Sequence, residues 1–356
     1  MKHVFVTGAT GFIGVNLVRT LLETSDAVLY LLLRETEEQA AEERMKSLLN
    51  SFCTKERDQE YLRRVRAIKG DLCKENLGVS SDIWNELSEK IDTIFHSAAT
   101  IHFNLPYEEA SEINLGGTRR ILALASNCHE NKVLIRFNHI STAYVSGKTK
   151  MFCETDFDIG QQFANTYEQT KLETELEVLE HYKKGLPVMI FRPSLVTGNS
   201  KTGEIGRSSL LYIFIQYILD GSFKDFICND DTTLNFVHVD YVVEAMLQIP
   251  KSDANLGKAF NLTNKRNENV KQMIITVCRH LDVEPPRFFS IEEKDKASKL
   301  MRMALAPFVD YMNICHTFDN TLTKEALEGS EVVCPEVSES TIARIFAYIF
   351  NEMESP

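Results

Sequence analysis

The sequence predicts an α/β fold: a doubly wound parallel sheet with a smaller, mainly helical lobe towards the C-terminus. Three observations carry this. A glycine-spaced stretch, TGATGFIG at residues 7–14, lies between an apolar run and a helical pattern. Short β-branched runs then alternate with helical patterns, as βαβ units do. Past residue 198 the alternation stops, and helical stretches with several prolines take over.

HVFVT (3–7) opens as the first strand, and FIGVNLVRTLLE follows as a helix. Ile13, Leu17 and Leu21 form its apolar stripe, with Val18 and Leu22 beside it and Arg19, Thr20 and Glu23 turned away. AVLYLLL (27–33) is the second strand. The charged stretch from Arg34 to Asp71 is long for a connection, and AAEERMKSLLNSF within it reads as an added helix with Met45, Leu48, Leu49 and Phe52 inward. VRAI (65–68), TIFHSA (93–98), VLIRFNHI (133–140) and VMIFR (188–192) continue the strands. Residues 116–127 repeat the helical pattern with Ile121, Leu122, Leu124 and Ala125. FVHV (236–239) and AFNL (259–262) read as short strands rejoining the sheet. The expected division is a dinucleotide-binding domain of 1–197 plus 233–265 and a discontinuous substrate lobe of 198–232 plus 266–356.

Composition excludes other classes. The 356 residues carry 39 Lys+Arg against 51 Asp+Glu, a net charge of −12, which offers no basic footprint for nucleic acid. Eight cysteines, none in a CxxC pair and none with His at zinc spacing, read as reduced thiols of a cytoplasmic chain with no metal site. The longest apolar run, LLYIFIQYIL (210–219), is far below the ~18 residues that span a bilayer, so membrane contact is expected to be at most peripheral.

The glycine spacing has a chemical purpose. Gly8 allows the tight turn, Gly11 lets backbone approach a pyrophosphate, and Gly14 permits close helix–strand packing. The helix N-terminus then offers free N–H groups and a positive dipole end. Thr7, Thr10, Phe12 and Ile13 complete this Rossmann-type cofactor loop. An NAD site usually ends its second strand with an acidic residue. Here that strand ends in Arg34, whose guanidinium suits a 2′-phosphate, with Arg44 as a possible second contact. Arg44 pairing with Glu42 or Glu43 is the competing reading, and Glu35 turned inward onto ribose hydroxyls is the competing reading for NADH. NADPH is therefore the expected cofactor. Asp71 and Leu72, after the third strand, are placed to clasp an adenine. Ser97, Ala98 and Ala99 end the fourth strand with side chains small enough for close backbone approach.

YEQTK (167–171) sets Tyr167 and Lys171 four residues apart on one helical face. An ammonium beside a phenol favours its ionised form and brings it towards proton transfer at neutral pH. Ser141 and Thr142, in HISTAYVSG (139–147), end a strand where a hydroxyl can donate to an oxyanion. Asn114 is a candidate for holding a water or a backbone carbonyl beside the lysine. FRPSLVTG (191–198) closes the sixth strand in a rigid Arg-Pro turn.

The ordered set TGxxGxxG, GDL, HSAA, NxxGT, STAY, YxxxK and RPSxVTG, over roughly residues 1–265, resembles an extended short-chain dehydrogenase/reductase. The LLLR strand end with its helical insertion, HSAATIHF and LNFVHVDYVV (234–243) resemble the thioester reductase and fatty acyl-CoA reductase branch, the male-sterility-type NAD-binding family. The resemblance implies NADPH-dependent reduction of an acyl thioester, on coenzyme A or an acyl-carrier protein, to an aldehyde and in some members on to the alcohol. It implies Tyr167 as proton donor, Lys171 as its partner and a ribose ligand, and Thr142 as oxyanion donor with Ser141 the alternative. Pro193, Ser194 and Val196 follow as cofactor contacts. The chain is expected to lack the adenylation, carrier and extra C-terminal domains of larger members. The competing functions are a reductase or epimerase of a nucleotide sugar or steroid-like ketone, and a non-catalytic NADP-binding sensor. Chain length, carrier and oligomeric state are open.

Three features lie outside the resemblance. His96 and His102, flanking the end of the fourth strand, read as local hydrogen bonders. Met301, Met303 and Met312 are candidates for a pliable acyl-chain wall, with Phe214 and Tyr217 of the 210–219 segment facing the same channel. The C-terminal TIARIFAYIF places Ile342, Ile345, Phe346, Ile349 and Phe350 at helical spacing for packing on the domain.

Overall fold

The computed structural model describes residues 1–53, 58–207, 209–219, 221 and 224–354. In chain order the first elements are β1 (His3–Thr7), α1 (Phe12–Thr24), β2 (Val28–Leu33), α2 (Ala41–Asn50), α3 (Asp58–Arg64) and β3 (Val65–Lys69). Then come α4 (Ser81–Lys90), β4 (Thr93–His96), α5 (Tyr107–Ser111), α6 (Gly117–Glu130), β5 (Arg136–Ile140), β6 (Met151–Phe152), α7 (Thr166–Lys183) and β7 (Val188–Pro193). Next are β8 (Leu195–Thr197), α8 (Leu210–Leu219), β9 (Asp225–Ile227), β10 (Thr233–Leu234), β11 (Phe236–His238), α9 (Val239–Gln248) and β12 (Ala259–Leu262). Last are β13 (Glu268–Asn269), α10 (Val270–His280), β14 (Arg287–Phe289), α11 (Lys299–Leu305), α12 (Val309–Asn313), β15 (Thr317–Phe318), α13 (Thr321–Leu327) and α14 (Glu339–Glu354).

Seven strands form one sheet in the order β12-β7-β5-β4-β1-β2-β3. The pairings from β7 to β3 are parallel. The strands read as continuous apolar runs because they are covered on both faces: Val4, Phe5, Val6, Leu29, Leu31, Ile94, Phe95, Val188, Met189 and Ile190 are fully buried. The order reverses between β1 and β4, the switch point at which ligands of open α/β sheets bind.

The chain divides into two compact units, residues 1–145 with 166–191 and 246–260, and residues 146–165 with 192–245 and 261–356. These bounds differ from the expected ones at 146–165, 192–197, 233–245 and 261–265. In the second unit β6 pairs with β15, which draws the 146–165 segment to the C-terminal part of the chain. β11 pairs with β8 as a separate parallel ladder, so FVHV does not rejoin the main sheet, whereas AFNL does as β12.

Within the second unit, Arg192 is fully buried. Its guanidinium lies over the Phe152 and Phe157 rings at 5.1 and 4.6 Å and donates to the Asp156 carbonyl at 2.8 Å. Glu154 is likewise buried, accepting from the Asn261 and Thr323 N–H groups at 2.9 and 3.0 Å. Helix α8 buries Leu211, Ile215 and Ile218 at helical spacing. Met301 and Met312 are buried but Met303 is 66% exposed, so the three do not share a wall. Tyr217 is half-buried, and the side chain of Phe214 lies outside the described residues. Helix α14 buries Ile342, Ile345, Phe346 and Ile349, and Phe350 is exposed. Among the described residues the cysteines form no disulfide. Among the described residues no helix is long and apolar enough to cross a membrane, and no His/Cys/Asp/Glu cluster suits a metal ion.

Candidate functional site

The glycine loop is built as its spacing requires. Gly8 turns with φ +72°, and a Cβ there would lie 2.7 Å from the Ala98 nitrogen. A Cβ on Gly14 would lie 2.0 Å from the Gly8 carbonyl oxygen, closer than any side chain tolerates. Gly11 caps α1 without a side-chain hydrogen bond, and the first turn holds no acidic residue. Its N–H groups, with Phe12 and Ile13 first, are thus offered to an anion.

At the end of β2, Arg34 is exposed, and its carbonyl accepts a hydrogen bond from Arg44. Arg44 also donates to the Thr10 hydroxyl at 3.3 Å, so its guanidinium joins the glycine loop to the strand end. Glu43 is turned to the Ala40 N–H instead. Glu35 is ion-paired with Lys69 at 2.5 Å. Asp71 accepts from the Cys73 N–H at 2.9 Å, and the Leu72 carbonyl accepts from Arg120 at 3.0 Å. Pro193, Ser194 and Val196 belong to the second unit, where Ser194 donates to Asn235 at 2.7 Å.

From Thr7 a directed chain of hydrogen bonds crosses the first unit. The Ala98 N–H donates to Thr7 Oγ1 at 3.2 Å, and Thr7 Oγ1 lies 2.7 Å from His96 Nδ1. His96 Nε2 lies 3.0 Å from Thr118 Oγ1, which donates to the Asn114 carbonyl at 2.7 Å. Because Thr118 spends its proton on that carbonyl, His96 must donate from Nε2 and accept from Thr7 at Nδ1. This tautomer is that of a neutral ring, which the lowered pKa requires. Burial, with the Lys171 charge second, pushes its pKa down to about 3. A single π-helical turn, Glu112–Gly116, places Asn114. Its side chain accepts from the Thr100 N–H at 2.8 Å and donates to Thr170 Oγ1 at 2.9 Å, so it holds backbone and helix α7 together.

Helix α7 turns a polar face to the sheet: Glu168, Thr170, Lys171, Thr174 and Glu175 are all buried. Lys171 Nζ donates to the Ile140 carbonyl at 2.8 Å. Burial draws its pKa down to about 8, against the raising effect of Glu175. The Tyr167 phenol is hydrogen-bonded to Thr142. Its pKa is pushed up to about 12 by burial, opposed by the Thr142 bond. The Glu168 charge adds to the rise, so the phenol lies above its ordinary value, where the sequence led us to expect Lys171 to draw it down. Ser141, 4% exposed, has a hydroxyl with no partner among the described residues.

Sequence reasoning missed His139, which is fully buried beside His96 with ring centroids 5.5 Å apart. Its Nε2 lies 3.0 Å from Thr174 Oγ1, and burial followed by the Lys171 charge holds its pKa well below the ordinary value. It missed Glu168 and Glu175 too, whose hydrophilicity reads as surface. The one available signal was the weak apolar stripe of an 18-residue helix. His96 bonds residues 89 and 22 positions away, so its partners are distant rather than local, and His102 is exposed.

A family model described as "Male sterility protein" matches residues 6–246. The chain is 27% identical over 277 residues to a non-canonical nonribosomal peptide synthetase of Aspergillus campestris, covering 75% of this chain and 26% of that protein. It is 28% identical over 288 residues to a Drosophila melanogaster protein described as a candidate fatty acyl-CoA reductase, covering 69% of this chain and 51% of that one. It thus spans about half or less of these relatives. The crystal structure of the terminal R domain from the myxalamid PKS-NRPS biosynthetic pathway superposes with a TM-score of 0.81 at 25% identity, covering 100% of this chain and 92% of that domain.

The buried amine makes a prediction about stability. Its folded pKa, about 8, lies below the ordinary 10.5, so the unfolded chain holds the extra proton between these values. Stability then rises with pH across that window as the cost of burying the charge is relieved. Lys171→Met should melt at a higher temperature than the wild type at pH 7, with the gap narrowing from pH 8 towards 10 in thermal unfolding scans. A variant less stable at pH 7 would mean that the Ile140 hydrogen bond outweighs the burial cost.

Proposed function

The chain belongs to the male-sterility-protein family, and from that premise we propose that it is an NADPH-dependent reductase of acyl thioesters, with coenzyme A or an acyl-carrier protein as the thiol. One observation carries the chemistry: a half-buried tyrosine, its hydroxyl bonded to Thr142, stands one helical turn from a buried lysine. Held near 12, Tyr167 is protonated at neutral pH, the state a proton donor needs. An epimerase-type removal of a proton would instead need the phenolate. A pure sensor has no use for the pair.

The glycine loop and the α1 N-terminus would hold the pyrophosphate, Arg34 and Arg44 the 2′-phosphate, Asp71 and Leu72 the adenine, and Lys171 the ribose. Pro193, Ser194 and Val196 are proposed as further contacts. With Glu35 engaged by Lys69, the end of β2 presents cationic groups, which favours NADPH over NADH. The reduced nicotinamide, when bound, supplies a hydride to the thioester carbonyl carbon. The residues handle the oxygen. Thr142, or Ser141 with its unspent hydroxyl, donates to it as charge develops, and Tyr167 delivers the proton that completes a hemithioacetal. Collapse of that adduct breaks the carbon–sulfur bond and releases thiol and aldehyde; a second round would give the alcohol. Asn114 acts through Thr100 and Thr170 rather than by contact with substrate. The second unit is proposed as the substrate lobe on the strength of its apolar α8.

Arg34→Ala should weaken NADPH by roughly 10- to 100-fold while leaving NADH nearly unchanged, read by the fluorescence of the reduced cofactor. Equal losses for both would overturn the 2′-phosphate assignment. Tyr167→Phe should keep cofactor affinity and lose most turnover of acyl-CoA. Thr142→Ala should cost on the order of 10²–10³ in rate. If Ser141→Ala shows that loss and Thr142→Ala does not, the two hydroxyls exchange roles.

A further inference from the structure

The HSAATIHF stretch continues from β4 into a loop, residues 100–106, that is tied to the start of α7. The Thr100 N–H donates to Asn114 at 2.8 Å, itself bonded to Thr170. Thr166 Oγ1 donates to the Leu105 carbonyl at 3.1 Å. Just past the loop, the Tyr107 hydroxyl donates to Glu173 at 2.9 Å. Between these ties the Phe103 ring lies against Tyr167, centroids 5.8 Å apart and planes tilted by 45°. Ile101, two residues earlier, is 53% exposed, and Phe103 is half-buried. The groups that fix the loop are thus spent on Asn114 and α7, and the Phe103 ring, between the exposed His102 and Asn104 in the chain, is the apolar contact of Tyr167.

Resting on the thioester reading, we propose that this loop is the wall for the first carbons of the acyl group, with Phe103 as the specificity-determining residue. The carbonyl oxygen must reach Tyr167 to be protonated. The carbons next to that carbonyl therefore come to the ring that touches Tyr167. An apolar chain gains by covering Phe103 and Ile101. A hydroxyl at the third carbon that lies on the Phe103 ring loses its water there, because the ring offers it no hydrogen bond. The wall lies wholly in the first unit, whereas the acyl-chain candidates read from the sequence, such as Met301 and Tyr217, lie in the second. Through its ring contact Phe103 also shields the phenol from water, in line with the raised pKa of Tyr167.

The test compares butyryl-CoA with 3-hydroxybutyryl-CoA, using NADPH and the purified chain. The wild type should prefer the plain acyl group by roughly 10- to 100-fold in kcat/KM. Phe103→Ala should lower kcat/KM for butyryl-CoA by roughly 10-fold, mostly through KM, and should shrink the preference. Phe103→Leu should restore most of it. NADPH binding, read by its fluorescence, should be unchanged and reports that each variant is folded. Ile101→Ser, at a more exposed position, should shrink the preference in the same direction and serves if Phe103→Ala does not fold. A preference that stays the same in folded variants overturns the wall. A wild type that binds NADPH but reduces neither ester overturns the thioester reading beneath it, before any variant is made.

Discussion

An amine kept out of water is the constraint around which the first unit is arranged. Lys171 is 2% exposed, and taking an ammonium from water costs several kcal/mol unless its surroundings answer it. The Ile140 carbonyl accepts one of its protons, and Glu175 sits on the same helical face one turn on. The two histidines nearby are both held neutral, so they add no like charge. Helix α7 cannot then be an ordinary amphipathic helix. Its threonines turn their hydroxyls back to the backbone: Thr170 to the Thr166 carbonyl at 2.8 Å and Thr174 to the Lys171 carbonyl at 2.7 Å. Each is left able to accept from the side facing the sheet, from Asn114 and His139.

The same arrangement explains what was legible in the sequence. The glycine loop and all seven strands of the main sheet could be read because each rests on local rules: steric need for glycine and continuous apolar runs. FVHV was readable as a strand, but nothing in its residues says that β8 rather than the main sheet is its partner. Arg44 was poised between two readings, and its partners in the structure, the Arg34 carbonyl and Thr10 from 34 residues away, carry no mark in the sequence. The polar interior was the least legible part. A histidine, a threonine and a glutamate carry no mark of burial; what buries them is a set of partners contributed by β1, β4, β5, α6 and α7 together.

The phenol and the lysine are usually thought of as a pair in which the cation acts on the acid. Here the direct partner of Tyr167 is the Thr142 hydroxyl, while Lys171 is turned to a backbone carbonyl. Burial then separates their titrations, raising one and lowering the other. Tyr144, which is buried, is likewise pushed up by burial and by Glu168. The two histidines beside this pair, both pushed down by burial, add no charge to that of Lys171.

The pairing of Glu35 with Lys69 has a consequence for redesign. The acidic residue that an NADH enzyme would use is already in place beside Arg34, but an exposed lysine from the neighbouring strand occupies it. Such surface pairs contribute little to stability, so parting them is inexpensive. If the chain prefers NADPH as proposed, a redesign towards NADH would therefore begin at Lys69, by releasing a carboxylate the chain already owns, before any change to the arginines.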